Sequence, residues 1–241
     1  MEPIEQELTA GLYIVATPIG NLADISARAV MVLKEVDLVL AEDTRHSRIL
    51  LNHIDVNTRT ESYNDFNKEK RTSTYLSFLQ AGNKVALICD AGTPGVADAA
   101  FYIVRAARQA GIPVIPIPGP VAFITALVAS GLPTDRFMFC NFPPKKSAQR
   151  TSMLQLYRDT FLGGWKHPPT LCFYIGPKQL IKFINEIAAV YGEDIRIVLG
   201  RELTKKFEEF LDKSAVELLT YYNERKPKGE YVLMFHPGNK G

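Results

Sequence analysis

The chain has 241 residues, 46% of them apolar and 22% charged, with 28 Lys and Arg against 26 Asp and Glu. This excludes both a histone-like basic protein and an acidic disordered tail, and thirteen Phe and ten Tyr are ample for a packed core. Three widely spaced cysteines, Cys89, Cys140 and Cys172, with no CxxC exclude a disulfide scaffold and lead us to expect a reducing, cytoplasmic setting.

The N-terminal stretch has no apolar core of the secretory type. The first half then alternates short β-rich runs with helical patterns. Strands are expected at 12–16, 37–42, 84–89 and 112–117, and helices at 25–36, from 44 onward, at 68–81 and at 99–109. Several of the strands are apolar on both faces, which indicates a parallel sheet covered on both sides. Residues 109–134 carry no charge, but Pro113, Pro116, Pro118, Pro120 and Pro133 punctuate them. A strand, a turn and a buried helix account for this stretch better than a membrane span does.

Beyond Pro120 the strands become longer and more alternating, at 136–142, 170–175, 195–203 and 230–236, with helices at 147–160, 179–191 and 215–224. The expectation is an α/β protein of two α/β domains, 1–118 and 119–241, the first with a mainly parallel sheet and the second with a mixed one. Charge differs between the halves. Residues 1–120 hold 11 basic and 14 acidic side chains, and residues 121–241 hold 17 and 12. The second half is therefore the one suited to an anionic partner.

In a parallel sheet of this type, ligands bind at the loops following the strands. Four such loops stand out, at 17–21, 42–46, 90–95 and 118–120, each preceding a helical pattern and all but 42–46 containing both Gly and Pro. None is a P-loop or a GxGxxG, so a P-loop NTPase, a dinucleotide dehydrogenase and a methyltransferase of the common Rossmann type are disfavoured. No His or Cys cluster has metal spacing, and no metal is expected.

Taken together, VATPIGNL (15–22), AEDTRH (41–46), DAGTP (90–94), PIPGP (116–120), SGLPTDRF (130–137) and RELTK (201–205) resemble one family. It is the class III, tetrapyrrole-methylase-like S-adenosylmethionine methyltransferases, and within it the ribosomal RNA small-subunit methyltransferase I branch. The resemblance implies a tetrapyrrole methylase fold with the cofactor in the interdomain cleft, and a homodimer. It implies 2′-O-methylation of a cytidine in small-subunit ribosomal RNA, free or assembled. By the same analogy, Pro18 and the loop Asp90, Ala91, Gly92, Thr93 and Pro94 line the methionine side of S-adenosylmethionine, and Gly119, Pro120 and Leu132 close over its ribose and adenine.

A sulfonium methyl is already electrophilic, so the enzyme chiefly aligns an acceptor oxygen and draws off its proton. Asp43 is the first choice as base or hydroxyl orienter, with Glu42 beside it and Arg45 as a phosphate clamp. The competing reading of Asp43 is a helix N-cap. For RNA, Lys145, Lys146, Arg150, Arg201 and Lys205 are the expected phosphate contacts, and Tyr63, Phe66 and Tyr174 the expected stacking rings. The segment 97–100 and the run 173–179 depart from the branch pattern, as does 62–68. Two other readings stand beside RNA methylation: transfer to a small molecule such as a tetrapyrrole, and cofactor binding without catalysis.

Overall fold

A computed structural model describes residues 7–240, which fall into two compact units, Met1–Val121 and Ala122–Gly241. In the first unit, strands β1 (Gly11–Val15), β2 (Leu38–Ala41), β3 (Thr60–Ser62), β4 (Lys84–Ile88) and β5 (Val114–Ile117) form a five-stranded sheet in the order β3-β2-β4-β1-β5. All four pairings are parallel.

Side-chain alternation splits this sheet between two cores. Leu12 and Ile14 of β1 pack with Tyr75 and Leu79 of α3 (Lys68–Gln80) and with Ile103 and Ala107 of α4 (Ala100–Gln109). Tyr13 and Val15 face the other way, against Val32 and Leu33 of α1 (Ala27–Glu35) and Leu51 of α2 (Thr44–His53). The helices begin where the local chemistry dictates. The Ser26 side chain accepts from the Ala29 N–H to start α1, and the Asp43 side chain accepts from the Arg45 N–H to start α2. Because every strand is parallel, the four loops that carry the sequence motifs leave the sheet from one edge, its carboxyl edge.

In the second unit, β6 (Phe137–Phe139), β7 (Thr170–Ile175), β8 (Ile195–Arg201), β9 (Glu209–Ser214) and β10 (Tyr231–Lys240) form a mixed sheet in the order β6-β7-β10-β8-β9. Only β6 and β7 run parallel. One face is covered by α6 (Ser147–Leu162), α7 (Pro177–Tyr191) and α8 (Ala215–Asn223) through Leu154, Phe183, Ile187 and Leu218. α5 (Ala122–Ala129) packs on the opposite face, so close that a Cβ added to Gly200 lies 3.3 Å from that of Ala126.

Three differences from the sequence expectations have physical causes. The edge strands β3 and β9 escape notice because β3 is three half-buried residues and β9 alternates weakly, its charged side chains pairing across the sheet edge. There, Asp212 binds Arg196 and Glu209 binds Arg201. β6 is three residues long, shorter than the expected 136–142, since Asn141 takes a left-handed φ of 58° just before Pro143 and Pro144.

Candidate active site

At the carboxyl edge of the first sheet, the loops are tied to one another and not merely adjacent. Thr17 after β1 and Gly92 after β4 form a two-bond antiparallel bridge, N–H to O at 2.8 and 3.1 Å. Gly92 holds φ +86°, a backbone conformation that favours glycine. The Thr93 hydroxyl donates to the Pro120 carbonyl at 2.9 Å, which joins the loop after β5 to the same assembly. A Cβ on Gly119 would lie 2.8 Å from the Cβ of Ala16, so only glycine lets this backbone lie against β1. Asp98 closes the far end of the 90–98 loop, its carboxylate accepting from Gly95 N–H at 2.9 Å and from Ala100 N–H at 2.8 Å. That explains how Asp98 alone can order the divergent 97–100 segment, in which Ala97 takes φ +70°. Pro18 and Pro94 are buried in this edge, while Ala91, Gly95 and Gly119 leave backbone exposed.

The loop after β2 adds the carboxylates. The Asp90 N–H donates to Glu42 Oε2 at 3.4 Å, and the Asp43 N–H donates to Asp90 Oδ1 at 3.1 Å, a reciprocal pairing across residues 47 and 48 positions apart. The half-buried Glu42 carboxyl is pushed up from its ordinary range, first by burial and then by the nearby charges of Asp90, Asp98 and Asp65, against a lowering backbone bond from Asp90. Asp43 behaves in the opposite way. Hydrogen bonds from the Arg45 side chain and backbone bring it down to about 2. Its oxygens cap α2 and bind the Arg45 guanidinium at 3.1 Å. Of the two neighbouring carboxylates, Glu42 is the stronger base and Asp43 is a satisfied N-cap. Burial pushes the Cys89 thiol up, so it stays protonated beside the Ala91 carbonyl.

The expected residues divide cleanly. Pro18, Glu42, Asp43, Arg45, Asp90–Pro94, Gly119 and Pro120 all lie on this carboxyl edge of the first unit. Leu132 belongs to the second, buried after α5 with its N–H on the Ser130 hydroxyl. The sequence reading overlooked Thr17, Asp98 and Asn64, whose Nδ2 donates to the Glu42 carbonyl at 3.3 Å. Their only local signal is a short polar side chain in a strand-to-helix loop.

In the second unit, Lys145 and Lys146 are exposed. Arg150 is not the surface contact expected of it. It is 3% exposed, forms a bidentate pair with Glu186 at 2.6 Å and donates to the carbonyls of Pro144 and Lys145. Its helical register turns it inward, where an unpaired guanidinium would be costly. Arg201 donates to the Lys228 carbonyl and Glu209, and Lys205 binds Glu202 and Glu230. These two brace a loop in which Glu202 and Thr204 have positive φ, while Lys206 and Phe207 point outward. Tyr63 is likewise corrected as a stacking ring, being 2% exposed with its hydroxyl on Thr72. Tyr174 lies in an aromatic group, with its ring centre 4.8 Å from that of Phe139.

A family model described as Tetrapyrrole (Corrin/Porphyrin) Methylases matches residues 11–219. The chain belongs to this family. It is a methyltransferase, and its curated relatives place it in the branch resembled by its motifs. It is 46% identical over 92% of its length to Ribosomal RNA small subunit methyltransferase I of Escherichia coli O157:H7, covering 76% of that protein. It is 44% identical over 94% of its length to the protein of the same name from Pseudomonas aeruginosa, covering 79% of it. Among solved structures, the fold matches uroporphyrin-III-C-methyltransferase from Thermus thermophilus with a TM-score of 0.64 at 19% identity, covering 94% of both chains. A cobalt precorrin-4 methyltransferase matches with the same TM-score at 16% identity, covering 93% of this chain and 94% of that one. At these identities the structural likeness shows the fold alone.

Proposed function

We propose that this methyltransferase uses S-adenosylmethionine to methylate the 2′-hydroxyl of a cytidine in small-subunit ribosomal RNA. The observation that carries the reading is the carboxyl edge of the first sheet. Three interlocked loops offer exposed backbone at Ala91, Gly95 and Gly119 next to a base, Glu42, that is more basic than an ordinary carboxylate. The cofactor fits these residues. Glycine at 119 lets the backbone lie where a side chain would clash, open space flanks Gly95, and Glu42, Asp43 and Asp90 suit a cationic ligand. When bound, S-adenosylmethionine supplies a methyl group on a positively charged sulfur.

The chain's own residues do the rest. Pro18, the Asp90–Pro94 loop, Gly119 and Pro120 hold the cofactor. Glu42 accepts the proton of the ribose hydroxyl as that oxygen takes the methyl group, with its carboxylate oriented by the Asp90 N–H. Asp43 shapes the start of α2, and Arg45 lies outward, where it can exchange its exposed partner for a phosphate. Lys145 and Lys146 supply further phosphate contacts. The names of the relatives support ribosomal RNA as the acceptor over a small molecule. The reading carries with it a homodimer working in the cytoplasm, for which the three free cysteines are suited; among the described residues no helix is long and apolar enough to cross a membrane.

The test is a map of 2′-O-methyl groups on small-subunit ribosomal RNA from cells with and without the protein, with labelled transfer to unmodified subunits in vitro. One cytidine that loses its mark in the deletion and gains label in vitro is the expected result. Transfer only to a small molecule, or to none of the RNA offered, overturns the reading.

A further inference from the structure

Phe66 is 100% exposed, and no other large apolar side chain among the described residues matches it. A lone exposed ring is ordinary in itself. What sets this one apart is the backbone that carries it. The Phe66 N–H donates to Asn64 Oδ1 at 3.1 Å, the Asn64 N–H to Asn67 Oδ1 at 2.9 Å, and Asn67 Nδ2 to the Ser62 carbonyl at 3.2 Å. Asn64 Nδ2 then donates to the carbonyl of Glu42. The loop holding the ring in water is thus cross-braced and anchored to the backbone of the candidate base.

We propose that Phe66 is the platform on which the unpaired acceptor nucleobase stacks, so that the attached ribose hydroxyl is presented to Glu42. This deepens the RNA reading above and rests on it. The surroundings of the ring favour one flat partner over a protein interface. Its chain neighbours Asn64, Asp65, Asn67 and Lys68 are all polar, so the loop itself carries a single aromatic face, and the Lys68 ammonium lies over the exposed Tyr102 ring nearby at 4.2 Å. Charge complementarity points the same way. Arg45, with a side chain 90% exposed, opens α2 directly after Glu42 and Asp43, on the same sheet edge. A ring for the base, a guanidinium for the phosphate and a carboxylate for the hydroxyl are the three contacts that immobilise one extruded nucleotide. A 2′-hydroxyl is common to every nucleotide, so the enzyme must hold the right one still. Stacking does this without the hydrogen bonds that would make the loop itself sequence-specific.

The experiment compares wild type, Phe66→Ala, Phe66→Leu and Phe66→Trp in the full chain. It reads kcat and KM for methyl transfer to unmodified small subunits, alongside S-adenosylmethionine affinity by calorimetry and thermal midpoint. The expected result for Phe66→Ala is a fall of roughly tenfold or more in kcat/KM, with cofactor affinity and midpoint unchanged. Trp restores activity and Leu does not, because the aromatic face and not mere bulk is required. Unchanged kcat/KM in Phe66→Ala, or restoration by Leu as complete as by Trp, overturns the inference while leaving the RNA reading intact. Absence of transfer to RNA by wild type overturns both.

Discussion

Glu42 and Asp43 are consecutive carboxylates whose environments drive them apart. Glu42 sits half-buried near Asp90, Asp98 and Asp65, while Asp43 is held ionised by Arg45 and the start of α2. A base must be deprotonated to act, so with Glu42 as the proposed base the acid limb of kcat/KM is expected to shift upward from where an unperturbed glutamate would place it. Glu42→Gln is expected to lower kcat by about 10²–10⁴-fold, to remove that limb and to leave S-adenosylmethionine affinity in place, as pH-dependent kinetics and calorimetry will show. Asp43→Asn keeps an equally good capping side chain and is expected to retain most activity. A loss in Asp43→Asn as deep as in Glu42→Gln would return the role of base to Asp43. The distinction was not available from residue type alone. Both are acids after a strand, and the sequence reading put Asp43 first, with a helix N-cap as its competing role; the structure shows it capping α2.

The strand-end loops act as one body at the scale of elements. The Thr17–Gly92 bridge, the Thr93–Pro120 bond and the contact of Gly119 with Ala16 lock the ends of β1, β4 and β5. Gly119→Ala is expected to push the last loop off β1 and to weaken cofactor binding by roughly tenfold, with Ala16→Gly in the same chain restoring it, since the double change recreates the missing space. Calorimetry on the four proteins of that cycle checks this; additive losses would refute the steric account. α6 and α7 are joined in a different way, by Arg150 and Glu186, whose side chains are 4% and 13% accessible. Removing one partner leaves a buried charge, so Arg150→Met should lower stability by about 3 kcal/mol. Burial raises the Glu186 carboxyl, but the Arg150 and Ser147 hydrogen bonds outweigh it and hold it below the ordinary value. Its folded pKa lies below the unfolded one. This contribution is therefore present above the normal glutamate range and is lost as pH falls, and Arg150→Met should flatten that acid dependence in denaturant titrations.

For the molecule as a whole, near-neutral charge hides an uneven distribution, with 17 basic against 12 acidic side chains from residue 121 on. Some of the seventeen basic side chains are nevertheless taken up by ion pairs. Arg150, Arg196, Arg201 and Lys205 are engaged with Glu186, Asp212, Glu209, Glu202 and Glu230. RNA affinity should therefore depend on the exposed basic side chains outside these pairs, Lys145 and Lys146 among them. Replacing Lys145 and Lys146 together by Gln is expected to reduce the slope of log affinity against log salt by up to about 2, whereas Arg150→Gln leaves the slope unchanged and lowers stability instead. Filter binding to small-subunit RNA over a salt series separates the two outcomes, and an altered slope in Arg150→Gln would contradict its structural role.

What the sequence by itself determined is what a few neighbouring residues can encode. Apolar runs and helical periodicity located most strands and helices, Asp43 was recognised as a possible helix cap, and the motif order identified the family and the loops that matter. The edge strands β3 and β9 escaped because half-exposed, charged strands lose the alternation that reveals them. Only the tertiary structure decided which carboxylate is half-buried among other acids and which arginine is spent inside. Glu42 depends on Asp90, 48 positions away, and Arg150 on Glu186, 36 positions away. Burial and charge act through space, so partners brought close by folding set the chemistry of a residue whose type and place in the chain were already plain.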